Sequence, residues 1–208
     1  MTAGFITLEG GEGAGKSTQL HRLANALERH GRPCVVTREP GGSPGAEEIR
    51  ALLVNGEPGR WDALTETLLL FAARADHVAR TIRPALAAEK FVICDRFTDS
   101  TCAYQGVGRD MPRESIRRIE SIVLGDFRPD LTFVLDLPAE EGLKRAHARS
   151  VRENRFERFG LQFHERLRQA FLDIARRSPE RCLVIDAARS EDEVAAEIWA
   201  AARERFQL

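Results

Sequence analysis

A glycine-rich stretch near the start of the chain, residues 9–18 with the sequence EGGEGAGKST, most constrains the fold. It matches the pattern G-x-x-x-x-G-K-S through Gly10, Gly15, Lys16 and Ser17. In this pattern the glycines let backbone N–H groups approach phosphate oxygens, the lysine reaches the β- and γ-phosphates, and the serine hydroxyl coordinates Mg²⁺. The alternative is a glycine-rich turn beside an unrelated lysine.

The flanking residues favour the phosphate-binding interpretation. Residues 5–8 are apolar and partly β-branched, which is typical of a strand. Leu20, Leu23, Ala24 and Leu27 follow at the spacing of one helix face. Strand, glycine loop and helix form the context of a P-loop, which binds a nucleoside triphosphate through its phosphates. The residues predicted to bind ATP are Gly10, Gly11, Glu12, Gly13, Ala14, Gly15, Lys16, Ser17 and Thr18.

Composition limits the class of protein. The 208 residues suit one α/β domain, residues 1–208, and a net charge of −1 provides no overall attraction for nucleic acid or an anionic membrane. No apolar run approaches the roughly 20 residues of a membrane helix, and the first residues lack a signal-peptide pattern. We therefore expect a cytoplasmic protein with no nucleic-acid or membrane partner. No cysteines form a C-x-x-C pair, so we expect no zinc site, and packing is favoured over a catalytic thiol at Cys102.

Strand-like and helical segments alternate along the whole chain. The strand-like segments are residues 5–8, 34–37, 91–94, 131–135 and 182–186. The helical segments after the first helix are residues 46–54, 62–88, 112–124, 162–176 and 191–206, with another beginning at Pro138. This order predicts a three-layer α/β/α fold with a five-stranded parallel sheet.

Charged residues occur where the predicted strands end, which is the edge at which open α/β sheets bind ligands. Asp95 is suited to hold Mg²⁺ and Arg96 to grip a phosphate, and a strand-end salt bridge between them is the alternative. Arg38 follows the second strand and is either a ligand contact or a surface charge. Arg74 lies in an apolar helical stretch, so it either faces a cleft or extends from the edge of the core.

Two further segments carry groups suited to binding. Residues 100–106 offer hydroxyls, a phenol and an amide for a base and a sugar, although capping and turn roles explain some of them. Residues 142–160 contain six basic and two acidic residues, for a net charge of +4. The arginines are Arg145, Arg149, Arg152, Arg155 and Arg158. We interpret residues 145–158 as a lid, and a solvated helix face with Glu–Arg pairs is the alternative.

These features together favour phosphoryl transfer between two anions. An N-K-x-D guanine motif, typical of GTPases, is absent from the sequence. Bringing two phosphates together requires Mg²⁺, a lysine and several arginines, and a lid would exclude water that otherwise hydrolyses the triphosphate.

The chain resembles the bacterial thymidylate kinase family nearly from end to end. The resemblance rests on residues 9–18, 37–42, 69–74, 95–97, 100 and 103–106, together with the arginine-rich lid. It implies the reaction ATP + dTMP → ADP + dTDP with Mg²⁺, a P-loop nucleoside monophosphate kinase fold and usually a homodimer. Another P-loop kinase, for a different nucleotide or a nucleoside, and a nucleotide-sensing module without transfer chemistry are the alternatives.

The resemblance also implies roles for individual residues. Glu12 would approach the sugar 3′-hydroxyl, Arg74 the thymine edge, and Tyr104 the sugar 2′ position. The implied catalytic residues are Lys16, Asp95, Arg96, Arg149 and Arg155, and the implied metal ligands are Ser17 and Asp95. The implied substrate contacts are Glu12, Arg38, Arg50, Leu70, Phe71, Arg74, Arg96, Ser100, Thr101, Tyr104 and Gln105. The family often has a stacking phenylalanine where this chain has Leu70, so stacking by Phe71 is a hypothesis.

Overall fold

A parallel β-sheet lies at the centre of the computed structural model, which describes residues 3–55, 57, 59–148 and 159–208. Within these residues the sheet has five strands, β1 Phe5–Gly10, β2 Cys34–Arg38, β3 Phe91–Asp95, β4 Leu131–Asp136 and β5 Cys182–Asp186. Their order is β2-β3-β1-β4-β5, and every neighbouring pair is parallel. The strands coincide with the predicted segments, which confirms the predicted fold class.

Helices join the strands and cover both faces of the sheet. The described helices are α1 Lys16–Arg29, α2 Pro44–Val54, α3 Ala63–His77, α4 Arg83–Ala87, α5 Thr98–Thr101, α6 Arg113–Leu124, α7 Ala139–Ala148, α8 Leu161–Arg177 and α9 Glu191–Phe206. Ser190 begins α9 with a capping box, in which its hydroxyl and the side chain of Glu193 bond each other's backbone N–H groups.

Two helical segments contain π-helical turns. The predicted helix over residues 62–88 consists of α3, a π-helical turn at Val78–Ile82, and α4. Pro84 has no N–H to donate one turn back, which accounts for the irregularity there. Helix α5 likewise continues as a π-helical turn, Cys102–Val107. We call residues 98–107 the α5 segment.

The alternation of side chains along β1 divides the core between the two faces of the sheet. Ile6 and Leu8 pack with residues of α1 and α9, whereas Phe5 packs with Val78 and Ile82 on the other face. All six residues of β1 are buried, as expected for a central strand of a parallel sheet covered on both sides.

The register of the strands brings charged residues to one edge. Asp95 at the end of β3 pairs with Leu8 of β1 on one side and with Arg38 of β2 on the other. The glycine loop follows directly after β1. The carboxyl ends of three adjacent strands therefore bring the loop, Asp95 and Arg38 together, as the sequence predicted from the position of ligand sites in open sheets.

Candidate active site

Two positions of the glycine loop lie so close to other backbone atoms that a Cβ would not fit. Gly10 has φ +133°, and a Cβ there would lie 2.5 Å from the carbonyl oxygen of Leu135. Gly13 has φ +68°, and a Cβ there would collide with the carbonyl oxygen of Gly142 in α7. The loop therefore packs directly against β4 and α7, and its path ends at the N-terminus of α1, where the helix dipole favours an anion.

Lys16 and Ser17 begin α1 directly beneath this loop. The Lys16 Nζ donates to the carbonyl oxygens of Gly10, at 3.2 Å, and Gly11, at 2.7 Å. Burial and the nearby Arg96 lower the pKa of Lys16 from its ordinary value, and neighbouring carboxylates oppose that shift. The Ser17 hydroxyl donates to Asp95 Oδ2 at 3.0 Å, so the two predicted metal ligands are in contact.

Arg96 connects the loop with the α5 segment. One guanidinium nitrogen, Nη1, donates to the carbonyl oxygen of Gly10 at 3.0 Å and to Ser100 Oγ at 3.2 Å. The other, Nη2, donates to Glu12 Oε1 at 3.0 Å. The guanidinium carbon also lies 5.0 Å from the centre of the Tyr104 ring, within the range of a cation–π contact.

Glu12 is an ionised carboxylate held among positive charges. Its Oε1 accepts hydrogen bonds from Arg96 and from the Tyr104 hydroxyl, the latter at 2.6 Å. Burial alone would raise the pKa of Glu12, but Arg96, Lys16 and the Tyr104 hydroxyl hold it at about 2. Glu12 is therefore an acceptor at neutral pH, which suits a bond from a sugar hydroxyl.

A cavity of about 450 Å³ opens beside these groups. Its lining includes Ser17 and Asp95, and it also contains most of the predicted substrate contacts. These are Glu12, Arg38, Arg50, Leu70, Arg74, Arg96, Ser100, Thr101, Tyr104 and Gln105. Arg74 and Arg96 therefore face one chamber that reaches the two predicted metal ligands, which is the arrangement that transfer between two bound anions requires.

Arg74 forms the buried end of this chamber. It is 2% exposed, with Nε donating to Glu39 Oε2 at 2.7 Å and Nη2 donating to Thr101 Oγ1 at 3.0 Å. Its guanidinium carbon also lies over the ring of Phe71, 4.8 Å from the centroid. Among the described residues, Nη1 has no hydrogen-bond partner, so Arg74 retains a donor for a ligand.

Phe71 does not line the cavity, contrary to the stacking hypothesis. Its side chain is 1% exposed and packs in the core with Met111 and Ile116, whereas Leu70 lines the cavity. The two residues differ by one position, which rotates the side chain by about 100° around the helix axis. The placement makes Leu70 the candidate contact and gives Phe71 the role of packing beneath Arg74.

Comparison with known proteins identifies the family. A family model described as thymidylate kinase matches residues 8–198. The thymidylate kinase of Caulobacter vibrioides is 60% identical over 95% of both chains, and that of Dinoroseobacter shibae is 54% identical over 94% of both. The crystal structure of thymidylate kinase from Ehrlichia chaffeensis superposes with a TM-score of 0.78 at 35% identity, covering 97% of this chain and 99% of that one. The chain belongs to the thymidylate kinase family. The predicted resemblance is thereby confirmed.

Two buried acids that the sequence analysis did not single out support this kinase site. Glu39 accepts from Arg74 through Oε2, and its Oε1 is 3.0 Å from Nδ1 of His77. Glu9 accepts from the Phe97 N–H at 2.7 Å and from the Ser100 hydroxyl at 2.6 Å. Both acids lie inside the stretches that carry the family resemblance, but their partners are too distant in sequence to be foreseen.

The arginine-rich segment of the thymidylate kinase resemblance is only partly described. Arg149, Arg152, Arg155 and Arg158 lie outside the described residues. Arg145 is described, and its Nε donates to Glu141 at 3.0 Å within α7. A Glu–Arg pair on a helix face is what the alternative to the lid interpretation predicts, and Arg145 forms such a pair.

Within the described residues, no helix is both long enough and apolar enough to cross a membrane.

Glu9 provides a test of the electrostatics of the site. Burial and the charge of Asp99 raise its pKa from 4.5 to about 8, despite its hydrogen bonds. Between about pH 4.5 and 8 the folded protein therefore holds a proton that the unfolded chain releases, so this acid makes stability fall as pH rises. We expect Glu9→Gln, which remains uncharged, to lose this dependence. The free energy of unfolding in urea, taken as the value for Glu9→Gln minus the value for wild type, should increase as the pH rises from 5 to 9.

The exposed Glu204→Gln on α9 is the matched control, and its stability should parallel that of the wild type across this range. Parallel curves for wild type and Glu9→Gln would show that Glu9 is already ionised at pH 5.

Proposed function

We propose that the chain transfers the γ-phosphoryl group of ATP to dTMP, yielding ADP and dTDP, as membership of the thymidylate kinase family implies. The observation that carries this proposal is the shared chamber of Arg74, Arg96, Ser17 and Asp95, which reaches from the end of the glycine loop to a buried arginine donor. We also infer that residues 1–208 form one domain, because one sheet contains strands from Phe5 to Asp186.

The glycine loop and α1 bind the triphosphate. The backbone N–H groups of residues 10–18 and the ammonium of Lys16 supply positive charge at the N-terminus of α1. Lys16 already lies against the loop carbonyls of Gly10 and Gly11, so its charge is positioned before ATP binds.

Ser17 and Asp95 fit a Mg²⁺ ion. Their oxygens are 3.0 Å apart at the loop, and hydroxyl and carboxylate oxygens are the hard ligands that Mg²⁺ takes alongside phosphate oxygens and water. Among the described residues there is no cluster of three or more His, Cys, Asp or Glu side chains, in agreement with an ion held mainly by nucleotide and water. When bound, Mg²⁺ would neutralise charge on the β- and γ-phosphates.

The opposite wall of the chamber binds dTMP. Arg96 supplies a guanidinium for the acceptor phosphate. Its hydrogen bond to Glu12 holds the guanidinium and the carboxylate in place. Glu12 would accept from the sugar 3′-hydroxyl, and the Tyr104 ring would crowd the 2′ position. Arg74, Thr101 and Gln105 surround the base. Phosphoryl transfer depends on positioning and on charge stabilisation. These contacts would position dTMP and stabilise the charge on its phosphate.

Arg149 and Arg155 are proposed to add positive charge to the transferred phosphoryl group from the lid. The support is the family resemblance and the absence of an arginine from the glycine loop itself. A lid would also exclude water during transfer.

The acceptor specificity is tested by a coupled assay of ADP release with dTMP, dUMP, dCMP, dGMP and AMP. We expect dTMP to have the highest kcat/KM. Preference for another nucleotide would support the alternative of a different P-loop kinase. ATP binding without any phosphorylated product would support a nucleotide-sensing module.

Substitution of Arg74 tests how the base is bound. Arg74→Lys keeps the charge near Glu39 but removes the planar set of donors that includes the unpaired Nη1. The loss of one buried hydrogen bond costs about 1–3 kcal/mol, so we expect KM for dTMP to rise roughly 5- to 150-fold. KM for ATP should change little.

The matched control for this substitution is Arg80→Lys, because Arg80 is exposed and pairs with Asp76 on the same helical path. Steady-state kinetics should show wild-type values for this control. An unchanged KM for dTMP in Arg74→Lys would exclude a base contact through the guanidinium.

We also infer a homodimer in the cytoplasm, where free nucleotides are available as substrates. Leu64 and Leu68 on α3 are 52% and 49% exposed, and Ile122 on α6 is 85% exposed. The two helices pack together through Phe71 and Ile116, so the exposed leucines and isoleucine lie on adjoining helices. An exposed apolar surface of this kind is typical of a subunit interface, and family membership favours a second copy as its occupant.

Ile122→Glu tests the dimer. A carboxylate buried without a partner opposes association, so we expect light scattering to give twice the chain mass for wild type and a monomer, or a strongly concentration-dependent mass, for the variant. Val184→Glu, at a 40% exposed apolar residue of the edge strand β5, is the control and should stay dimeric. A monomeric wild type would contradict the inference.

A further inference from the structure

A second cavity, of about 470 Å³, lies between α6 and α8 on the other side of the α5 segment. Its lining residues and those of the active-site cavity do not overlap. We call it the α6–α8 groove and define it by Arg113 and Arg117 of α6, Arg177 of α8, and Cys102 and Ile174 on its floor. Its volume falls within the range of small-molecule sites.

The rim of the α6–α8 groove carries an excess of unpaired positive charge. Arg113, Arg117 and Arg177 form no hydrogen bond or ion pair within the described part of the chain. By contrast, Arg181 at the same groove is paired with Asp99 through two bonds of 2.7 and 2.8 Å. Three guanidinium groups that lack an ion-pair partner form a surface that an anion would stabilise.

Arg113 interacts electrostatically with the other two arginines of the rim. Burial and the charges of Arg117 and Arg177 lower its pKa from the ordinary value, and among the described residues only the thiol of Cys102 acts in the opposite direction. Four carboxylates line the groove. Asp99 pairs with Arg181 and Asp126 with Arg128, whereas Glu120 and Glu180 form no ion pair with the three arginines. An anion bound at the rim would relieve this repulsion.

The floor of the groove is apolar. Ile116 and Met111 are 1% and 7% exposed, and Ile174 and Phe127 complete the apolar surface. Burial, with the charges of Asp99 and Glu120, raises the pKa of the Cys102 thiol to about 12, so this side chain is neutral at physiological pH. An apolar floor under a guanidinium rim suits a molecule that has an apolar ring at one end and a multiply charged anionic group at the other.

The groove and the acceptor site share one wall. In the α5 segment, Asp99, Cys102 and Gly106 face the groove, whereas Thr101 and Gln105 line the active-site cavity. Since the Thr101 hydroxyl accepts from Arg74, a shift of this segment changes the geometry of the predicted base site. A ligand that shifts the α5 segment from the groove side therefore alters binding in the active site.

We propose that the α6–α8 groove binds an aromatic phosphomonoester, and that occupation of the groove changes the affinity for dTMP through the α5 segment. The ring lies on the floor and the phosphate is bound by Arg113, Arg117 and Arg177. This site is additional to the phosphate sites of the kinase reaction, because its arginines do not line the active-site cavity.

The binding experiment uses 1-naphthyl phosphate as the probe and the full chain saturated with dTMP and ADP, so that the active site is occupied. Isothermal titration should show one further molecule bound per chain. The double variant Arg113→Gln/Arg177→Gln removes two charge-assisted contacts, so its affinity for the probe should fall about tenfold or more. All three arginines are exposed, so the variant should retain the melting temperature and basal kcat of the wild type.

Arg118→Gln is the matched control, because Arg118 is on the same helix but pairs with Glu114 and does not line the groove. This variant should bind the probe with wild-type affinity. Equal losses in the control and the double variant, or no saturable binding of the probe at millimolar concentration, would overturn the proposal.

Two further ligands separate the contributions of ring and phosphate. Uncharged 1-naphthol and inorganic phosphate should each bind at least about tenfold more weakly than 1-naphthyl phosphate. If 1-naphthol bound as tightly as the probe, the phosphate would contribute nothing and the site would be only an apolar cavity. Phosphate binding as tightly as the probe would remove the need for a ring, and either result contradicts the proposed ligand class.

The coupling is measured as the change in KM for dTMP when the probe is added. A change in KM for dTMP that occurs in wild type and is absent in Arg113→Gln/Arg177→Gln supports coupling through the α5 segment. A probe that merely competes in the active site would raise KM equally in both proteins. Equal effects, or no effect at concentrations that fill the groove, would overturn the coupling.

Discussion

The contacts of Arg96 hold the two halves of the active site together. Its guanidinium bonds the glycine loop at Gly10, the loop carboxylate at Glu12 and the α5 segment at Ser100. Its own backbone has φ +71°, a conformation that non-glycine residues seldom adopt. The N–H of Arg96 bonds the Leu8 carbonyl, and the next N–H, of Phe97, bonds Glu9, so β1 supports this strained turn from below.

Burial of so many charges makes the partners of each one decisive. A buried charge without a partner costs several kcal/mol, and in this site carboxylates pair with two buried arginines. Arg96 has Glu12, and Arg74 has Glu39. The pKa of Glu12 is held low by its cations, whereas that of Glu9 is raised by burial and by Asp99, although both acids lie near Arg96. Two acids three residues apart therefore differ in charge state, one suited to accept from a substrate and the other to support the fold.

The α5 segment connects these electrostatics with the rest of the molecule. One side supplies Ser100, Thr101 and Tyr104 to the active-site cavity, while Asp99 on the other side is paired with Arg181, the residue before β5. The segment changes from α- to π-helical geometry at Cys102, and such turns occur frequently at functional sites. The α5 segment lines the active-site cavity on one side and the α6–α8 groove on the other. Both surfaces depend on its position, so the segment is the route for the proposed coupling.

The sequence by itself determined the strand and helix order, the glycine loop and most of the residues of the acceptor cavity. These features are local: hydrophobic periodicity sets the elements, and parallel strands bring their carboxyl ends to one edge. Only the tertiary structure decided that Leu70 rather than Phe71 faces the cavity, because the rotation of α3 depends on packing against Met111 and Ile116. It likewise decided the partners of Glu9 and Glu39, since those bonds join residues 35 to 91 positions apart and no local pattern specifies them.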